Sequence, residues 1–448
     1  MAQLILNKYL NLRKGNQYTM GELNRTIMKS QNTFSINVLM KGYCLLSLLS
    51  VVSITKATAI YTTVTPDTNW YNYLTYSFSL LTIPILLFAF LKRRKYKGIH
   101  FGYVIVYLLC RELIRWICGY SSIFDSNYFE MFFILTQSLA LCITVCVLCK
   151  NQVAKIEKFL DYYVIFAVAS QLFRAVLGFT TEGRLGALGL GVGGTGFFLA
   201  SYIILLVYTR TFDRRFTFLF ITAFVGLLLS GQRTNIFIMI MCLLPFVSNN
   251  LKKIMKNHLE LQVGKSDKYK INFLVLMLYI SVFVVLIIVA LDSFGIQIGF
   301  IEPIKRLSES VTQIFIGSVN SDISILGRQA SIEAGMKTLE ENMMGLSNDY
   351  YDLQYWMLQY GFPTYPHSTL LASVLLWGPF CALFCTWYMC LLFYQLHKYK
   401  SQMRYVLMFL IIVSIIWGGP ILVEPQFAVI LIYLSIAKIK LITLRNCC

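Results

Sequence analysis

Residues 271–291 read INFLVLMLYISVFVVLIIVAL, an apolar run with no charged side chain and no alternation. A bilayer core of ~30 Å takes about 20 such residues as a helix. A backbone crossing lipid must satisfy its own hydrogen bonds, and a run without a period of two is a helical span, not a barrel strand. The same pattern recurs along the 448-residue chain, which is 57% apolar and 13% charged, whereas soluble domains carry about 25% charged residues. The expected fold class is all-α: a polytopic membrane helical bundle with spans near 42–62, 71–91, 99–118, 130–149, 159–178, 196–209, 216–230, 234–248, 271–292, 369–391, 405–417 and 425–437. The polar N-terminal segment lacks the short apolar core and small-residue site of a cleavable signal peptide.

The formal charge of +18 has a simple source. With residues 1–41 inside, 29 of the 39 Lys and Arg fall in segments on the inner side and 6 on the outer. That asymmetry follows the positive-inside rule. It orients the chain with both termini cytoplasmic (1–41 and 438–448), and it removes nucleic acid as the reason for the charge. The 12 cysteines lie in expected spans or in the terminal Cys447-Cys448 pair. None falls in an external loop, where an oxidising compartment would make a bridge useful.

One connection is unusual. Residues 293–368 form a long external loop between the ninth and tenth spans, and loops of that length are normally functional or structured. Within it, 327–344 has helical periodicity: Arg328, Ile332, Met336, Leu339 and Met343 share one face, with Glu333, Lys337, Glu340 and Glu341 opposite. Gly345 fits the position just past a helix C-terminus. The pattern predicts an Arg328 that points at protein, where a cation needs an anion. No internal repeat is evident, which counts against a transporter built from duplicated halves.

Candidate chemistry concentrates on the outer side. Of four histidines, only His367 is external, and histidine alone exchanges protons near neutrality at its ordinary pKa. Arg233 lies in the tight turn Ser230-Gly231-Gln232-Arg233-Thr234. A cation at a helix start is unfavourable with the macrodipole unless the turn binds an anion. Arg184 precedes a glycine-rich run up to Gly196, Arg306 lies in the long loop, and Arg111, Arg115 and Arg174 sit within spans. At that depth a charge is costly unless it faces the bundle interior. The chain shows no phosphate-binding Gly-x4-Gly-Lys motif, no dinucleotide fingerprint and no external metal-ligand cluster.

The run from the external helix into the tenth span resembles the O-antigen polymerase and O-antigen ligase superfamily. The elements that carry the likeness are Arg328, the helix that follows it, Gly345, His367-Ser368 and Gly378. Ser230-Gly231-Gln232-Arg233 is similar to that family's Ser/Arg turn, and Gly183-Arg184-Leu185-Gly186 to its glycine-bracketed Arg loop. Cys381 stands where the ligase form expects Gly, Thr or Tyr, which favours the polymerase. The resemblance implies a multi-pass glycosyltransferase of the bacterial inner membrane, acting on the periplasmic face. It would join polyprenyl-diphosphate-linked oligosaccharide repeats into O-antigen, capsule or exopolysaccharide. It implies catalytic roles for His367 and Arg328, and substrate binding by Arg233, Arg184, Arg306, Arg111, Arg115 and Arg174. No cofactor, metal or nucleic acid is implied, and the partners would be membrane lipids and a chain-length regulator protein. The alternatives are a ligase that moves finished polymer to a lipid A core, and a flippase for lipid-linked oligosaccharide.

Overall fold

The computed structural model describes residues 107, 110, 111, 113, 114, 117, 153–176, 184–187, 192–256, 272–276, 323–343, 346, 350–362, 366, 368–416, 430, 431, 433 and 434. Their secondary structure is helical: α1 (Val153–Val176), α2 (Val192–Thr209), α3 (Arg214–Leu229), α4 (Arg233–Lys256), α5 (Ile323–Glu341), α6 (Tyr350–Gln359), α7 (Thr369–Trp377), α8 (Pro379–Lys398) and α9 (Arg404–Ile416). No strand occurs among the described residues.

Local chemistry sets the ends of these helices. Asp213 caps α3 by accepting the Phe216 amide at 2.6 Å, which satisfies one of the donors orphaned at a helix start. Gly231 has φ +61, a left-handed conformation glycine adopts without strain, so α3 reverses into α4 within Ser230-Gly231-Gln232. Ser368 caps α7, and Gly378 at φ +83 ends it. Pro379 then opens α8, where its missing N–H costs nothing.

Helix α2 is the hub, packed by α1, α3, α4 and α9 and buried from Gly194 through Val207. Helices α1, α2 and α3 meet at Gly226, where an added Cβ would lie 2.6 Å from Val168 and 2.8 Å from Leu199. The outer faces are apolar too. Tyr162, Ile165, Leu172 and Phe173 on α1, and Phe237, Ile240, Met241 and Leu244 on α4, are exposed at helical spacing. Helices apolar all round are buried or span a membrane. Two of them, Ile156–Val176 and Val192–Thr209, are long and apolar enough to cross one.

The expected spans 159–178, 196–209, 216–230, 234–248 and 405–417 coincide with α1, α2, α3, α4 and α9. Those at 99–118, 271–292 and 425–437 are helical where described, and those at 42–62, 71–91 and 130–149 lie outside the described residues. The span expected at 369–391 is two helices, because Gly378-Pro379 breaks it. The external helix begins at Ile323, before the expected 327, and its buried face differs from the one predicted. Ser331, Ala334 and Thr338 are buried, while Ile332, Met336 and Met343 are exposed. The reason is close approach: a Cβ on Gly335 would lie 2.8 Å from Leu371 and 3.1 Å from Pro366. Only a face of small side chains lets α5 come so near α7. The large apolar residues flank that contact. Helix α6 packs beside α5, and the Tyr360 hydroxyl donates to Glu341.

One end of the bundle is closed by Asp161 of α1. Its carboxylate is 1% exposed and accepts Tyr202 of α2 at 2.6 Å, Arg210 at 2.7 Å and Arg215 of α3 at 2.6 Å. Nearby, Tyr433 donates to Glu157 at 2.7 Å. Burial alone would lower the Arg210 pKa, but its hydrogen bond to Asp161 and that residue's charge outweigh burial and raise it. Breaking a buried pair leaves a buried charge unanswered. Asp161→Ala should therefore cost about 3 kcal/mol, read as a lower melting temperature of the detergent-solubilised chain. An unchanged melting temperature would show that solvent compensates the freed arginines.

Candidate functional site

The opposite end of the bundle gathers the C-terminus of α1, the N-terminus of α2 and the α3–α4 turn. Residues 184–187 cross it and are fastened along their backbone. The Leu185 amide donates to Leu229 O at 3.0 Å. Gln171, one turn before the end of α1 and fully buried, donates from Nε2 to Leu185 O at 2.8 Å and Gly226 O at 3.0 Å. Arg174 Nη1 donates to Gly186 O at 3.1 Å, and the Ala187 amide to Thr195 Oγ1 at 2.8 Å. Arg184 thus leaves a fixed backbone, one residue from the strand-like contact with the end of α3.

The α3–α4 turn is held from within. Ser230 is buried and donates from Oγ to Leu227 O at 2.6 Å. The Gly231 amide donates to Leu228 O at 2.9 Å. Helix α2 passes directly beneath, since a Cβ on Gly196 would lie 2.7 Å from Gln232 and 2.9 Å from Ser230 Oγ. That glycine is explained by helix packing.

Arg233 is the first residue of α4 and is half-buried. Arg328 reaches the same point from α5, donating from Nη2 to Thr234 Oγ1 at 3.2 Å. Arg184, Arg233 and Arg328 come from three separate segments that meet around one helix start: the 184–187 backbone at Leu229, Arg233 as the first residue of α4, and Arg328 through Thr234. N-terminal amides of α4 and the guanidinium groups all favour negative charge there. Such an arrangement can hold a phosphate or diphosphate and stabilise negative charge as it develops on a leaving group.

The other candidates divide. Arg174 adjoins the cluster but spends one arm on the 184–187 loop. Arg111 lies elsewhere: Nη1 donates to Leu376 O at 2.8 Å and Nη2 to Leu346 O at 3.0 Å. One of these carbonyls, Leu376 O, lies in the last turn of α7, the end where a cation is favoured. His367, Arg306 and Arg115 lie outside the described residues. Pro366, beside His367, packs against Gly335, two helical turns or ~10 Å along α5 from Arg328. Sequence reasoning passed over Gln171, Thr234 and Asn235. The available signal was a polar side chain within or opening an apolar span. Among the described residues no three His, Cys, Asp or Glu side chains group as a metal site.

No protein-family model matches the chain, and no curated protein matches it.

Replacing Gln171 with Leu takes the side-chain donor from Leu185 O, at about 1–3 kcal/mol, while Gly226 O keeps the Ser230 amide at 3.0 Å, and it releases one fastening of the loop. Amide hydrogen exchange at Leu185 and Ala187 should speed up in Gln171→Leu relative to amides in the middle of α2. Equal protection in the variant would mean that the remaining bonds suffice to hold Arg184.

Proposed function

We propose that the chain is an integral-membrane glycosyltransferase that polymerises oligosaccharide repeats carried on a polyprenyl diphosphate. The observation that carries this reading is the convergence of Arg184, Arg233 and Arg328 on the start of α4. A lipid diphosphate is an activated leaving group, so the reaction needs no nucleotide. The three guanidinium groups hold the diphosphate of the donor. They stabilise the charge that grows as the bond between its oxygen and the anomeric carbon breaks. The acceptor sugar hydroxyl attacks that carbon, its proton goes to His367, and lipid diphosphate departs. A positioned base of this kind contributes ~10²–10⁴-fold.

In this reading the chain follows the expected twelve-span layout, with this end on the outer face of the plasma membrane. In support, the other end carries Lys158, Arg210, Arg214, Arg215, Lys398 and Arg404, the basic enrichment expected of a cytoplasmic face. Arg174 and Arg111 serve the scaffold in this reading.

A clean deletion in the native host, with lipid-linked glycans and surface polysaccharide resolved by gel and mass spectrometry, tests the proposal. Single repeats without a ladder are expected. Full-length polymer left on its carrier would indicate a ligase, and unchanged glycans would end the glycosyl-transfer reading. Arg328→Lys keeps the charge but loses the planar fork, so polymer should be lost at normal protein level. An intact ladder would remove Arg328 from the site. His367→Ala should likewise abolish the ladder, and a normal ladder would exclude it as the base.

A further inference from the structure

Asn235 occupies the third position of α4, one turn past Gln232, whose side chain covers Gly196 of α2. It shares the buried face of the helix with Met239 and Cys242, away from the exposed Phe237, Met241 and Leu244. The residue is 0% exposed, yet among the described residues neither its Nδ2 nor its Oδ1 has a hydrogen-bond partner. Each buried polar group left in that state costs about 1–3 kcal/mol, a cost that an apolar side chain in the same space would not carry. An unsatisfied amide in a folded interior calls for an explanation. Its place supplies one. It follows Thr234, which receives Arg328, and lies two residues from Arg233.

We infer that Asn235 binds a neutral group of the substrate, a sugar hydroxyl or acetamido group of the unit next to the diphosphate, while the arginines take the charge. The inference rests on the glycosyl-transfer reading and names what that site recognises besides phosphate. A carboxamide offers two donors and one acceptor centre. A phosphate oxygen would answer the donors and repel Oδ1, whereas a hydroxyl or acetamido group satisfies both sides. Sites built to pair a substrate hydroxyl discriminate strongly, because the protein's own polar groups are stranded when the wrong ligand enters. Helix α4 packs mainly on α2 and α9, and α5 meets its start through the Arg328–Thr234 hydrogen bond at 3.2 Å. The amide is fully buried in this state, so binding requires α4 to part from a neighbour near Thr234.

The test compares the purified full-length chain with Asn235→Leu. Both are melted alone, with inorganic diphosphate, and with the oligosaccharide released by mild acid from the host's own lipid carrier. Without additive, the leucine variant should melt no lower than the wild type, since removal of a desolvated amide offsets the bulk of the larger side chain. Diphosphate should stabilise both proteins, and the oligosaccharide only the wild type. In cells at equal protein level, Asn235→Leu should lower polymer roughly ten-fold, the effect of one lost hydrogen bond. A lower melting temperature for both Asn235→Leu and the smaller Asn235→Val would show an amide already satisfied within the protein and overturn the inference. Normal polymer from a variant that melts no lower would overturn it as well. If Asn235→Leu fails to accumulate, Asn235→Ala takes its place, and an oligosaccharide-dependent rise that persists there counts against Asn235. Should deletion leave the host's glycans unchanged, the glycosyl-transfer reading falls, and the same melts still decide. A shift lost in the variant keeps Asn235 as a sugar contact, and no shift in the wild type removes it.

Discussion

The close passage of α2 beneath the α3–α4 turn depends on the bare backbone of Gly196, with Gln232 and Ser230 where a Cβ would go. That contact fixes the height at which α4 begins relative to the centre of the bundle. The height of α4 places Thr234 within reach of Arg328. The same turn presents Leu229 O to the 184–187 loop, which brings Arg184 alongside. A side chain at 196 would lift the turn from α2 and disturb all three relationships at once.

The two ends of the bundle handle charge in opposite ways. At the Asp161 end, acid and base are matched inside the protein: a buried carboxylate with two arginines and a tyrosine, and Glu157 with Tyr433. Such a network fixes helix ends in register and leaves its carboxylate fully engaged. At the Arg184–Arg233–Arg328 end, cations accumulate at a helix start, where the local dipole is also positive. Rigid ion pairing suits an anchoring end, whereas cations at a helix start meet a dipole of their own sign.

Much of this arrangement was legible in the sequence. Unbroken apolar runs identified α1, α2, α3, α4 and α9, because length and polarity alone decide what can lie in lipid. Composition was silent about the break at Gly378-Pro379, since both halves of that run are equally apolar and only two residues mark the boundary. The face of α5 was misplaced for a related reason. Periodicity follows large apolar side chains, whereas this helix packs through Ser331, Ala334, Gly335 and Thr338. Small residues permit close approach and carry almost no hydropathy signal. Arg184, Arg233 and Arg328 could be named one by one from their outer position, but their convergence is tertiary. Gln171 and Asn235 were invisible because one polar residue in an apolar helix has many readings until its neighbours are known.

The arginines singled out by sequence separate by the kind of backbone they meet. Arg174 and Arg111 reach carbonyl oxygens, at Gly186 and at Leu346 and Leu376. Arg174 lies in the last turn of α1 and Arg111 beside the last turn of α7. Both positions place a cation where the helix dipole is negative, so the charge is answered locally and the side chain serves the fold. Arg233 opens α4, and Arg328 is directed at its second residue. A helix start offers amide donors, which compete with a guanidinium for the same kind of partner. The direction of the neighbouring peptide dipoles therefore separates arginines that a helix end favours from arginines that it opposes, although all of them look alike as cations in an apolar sequence.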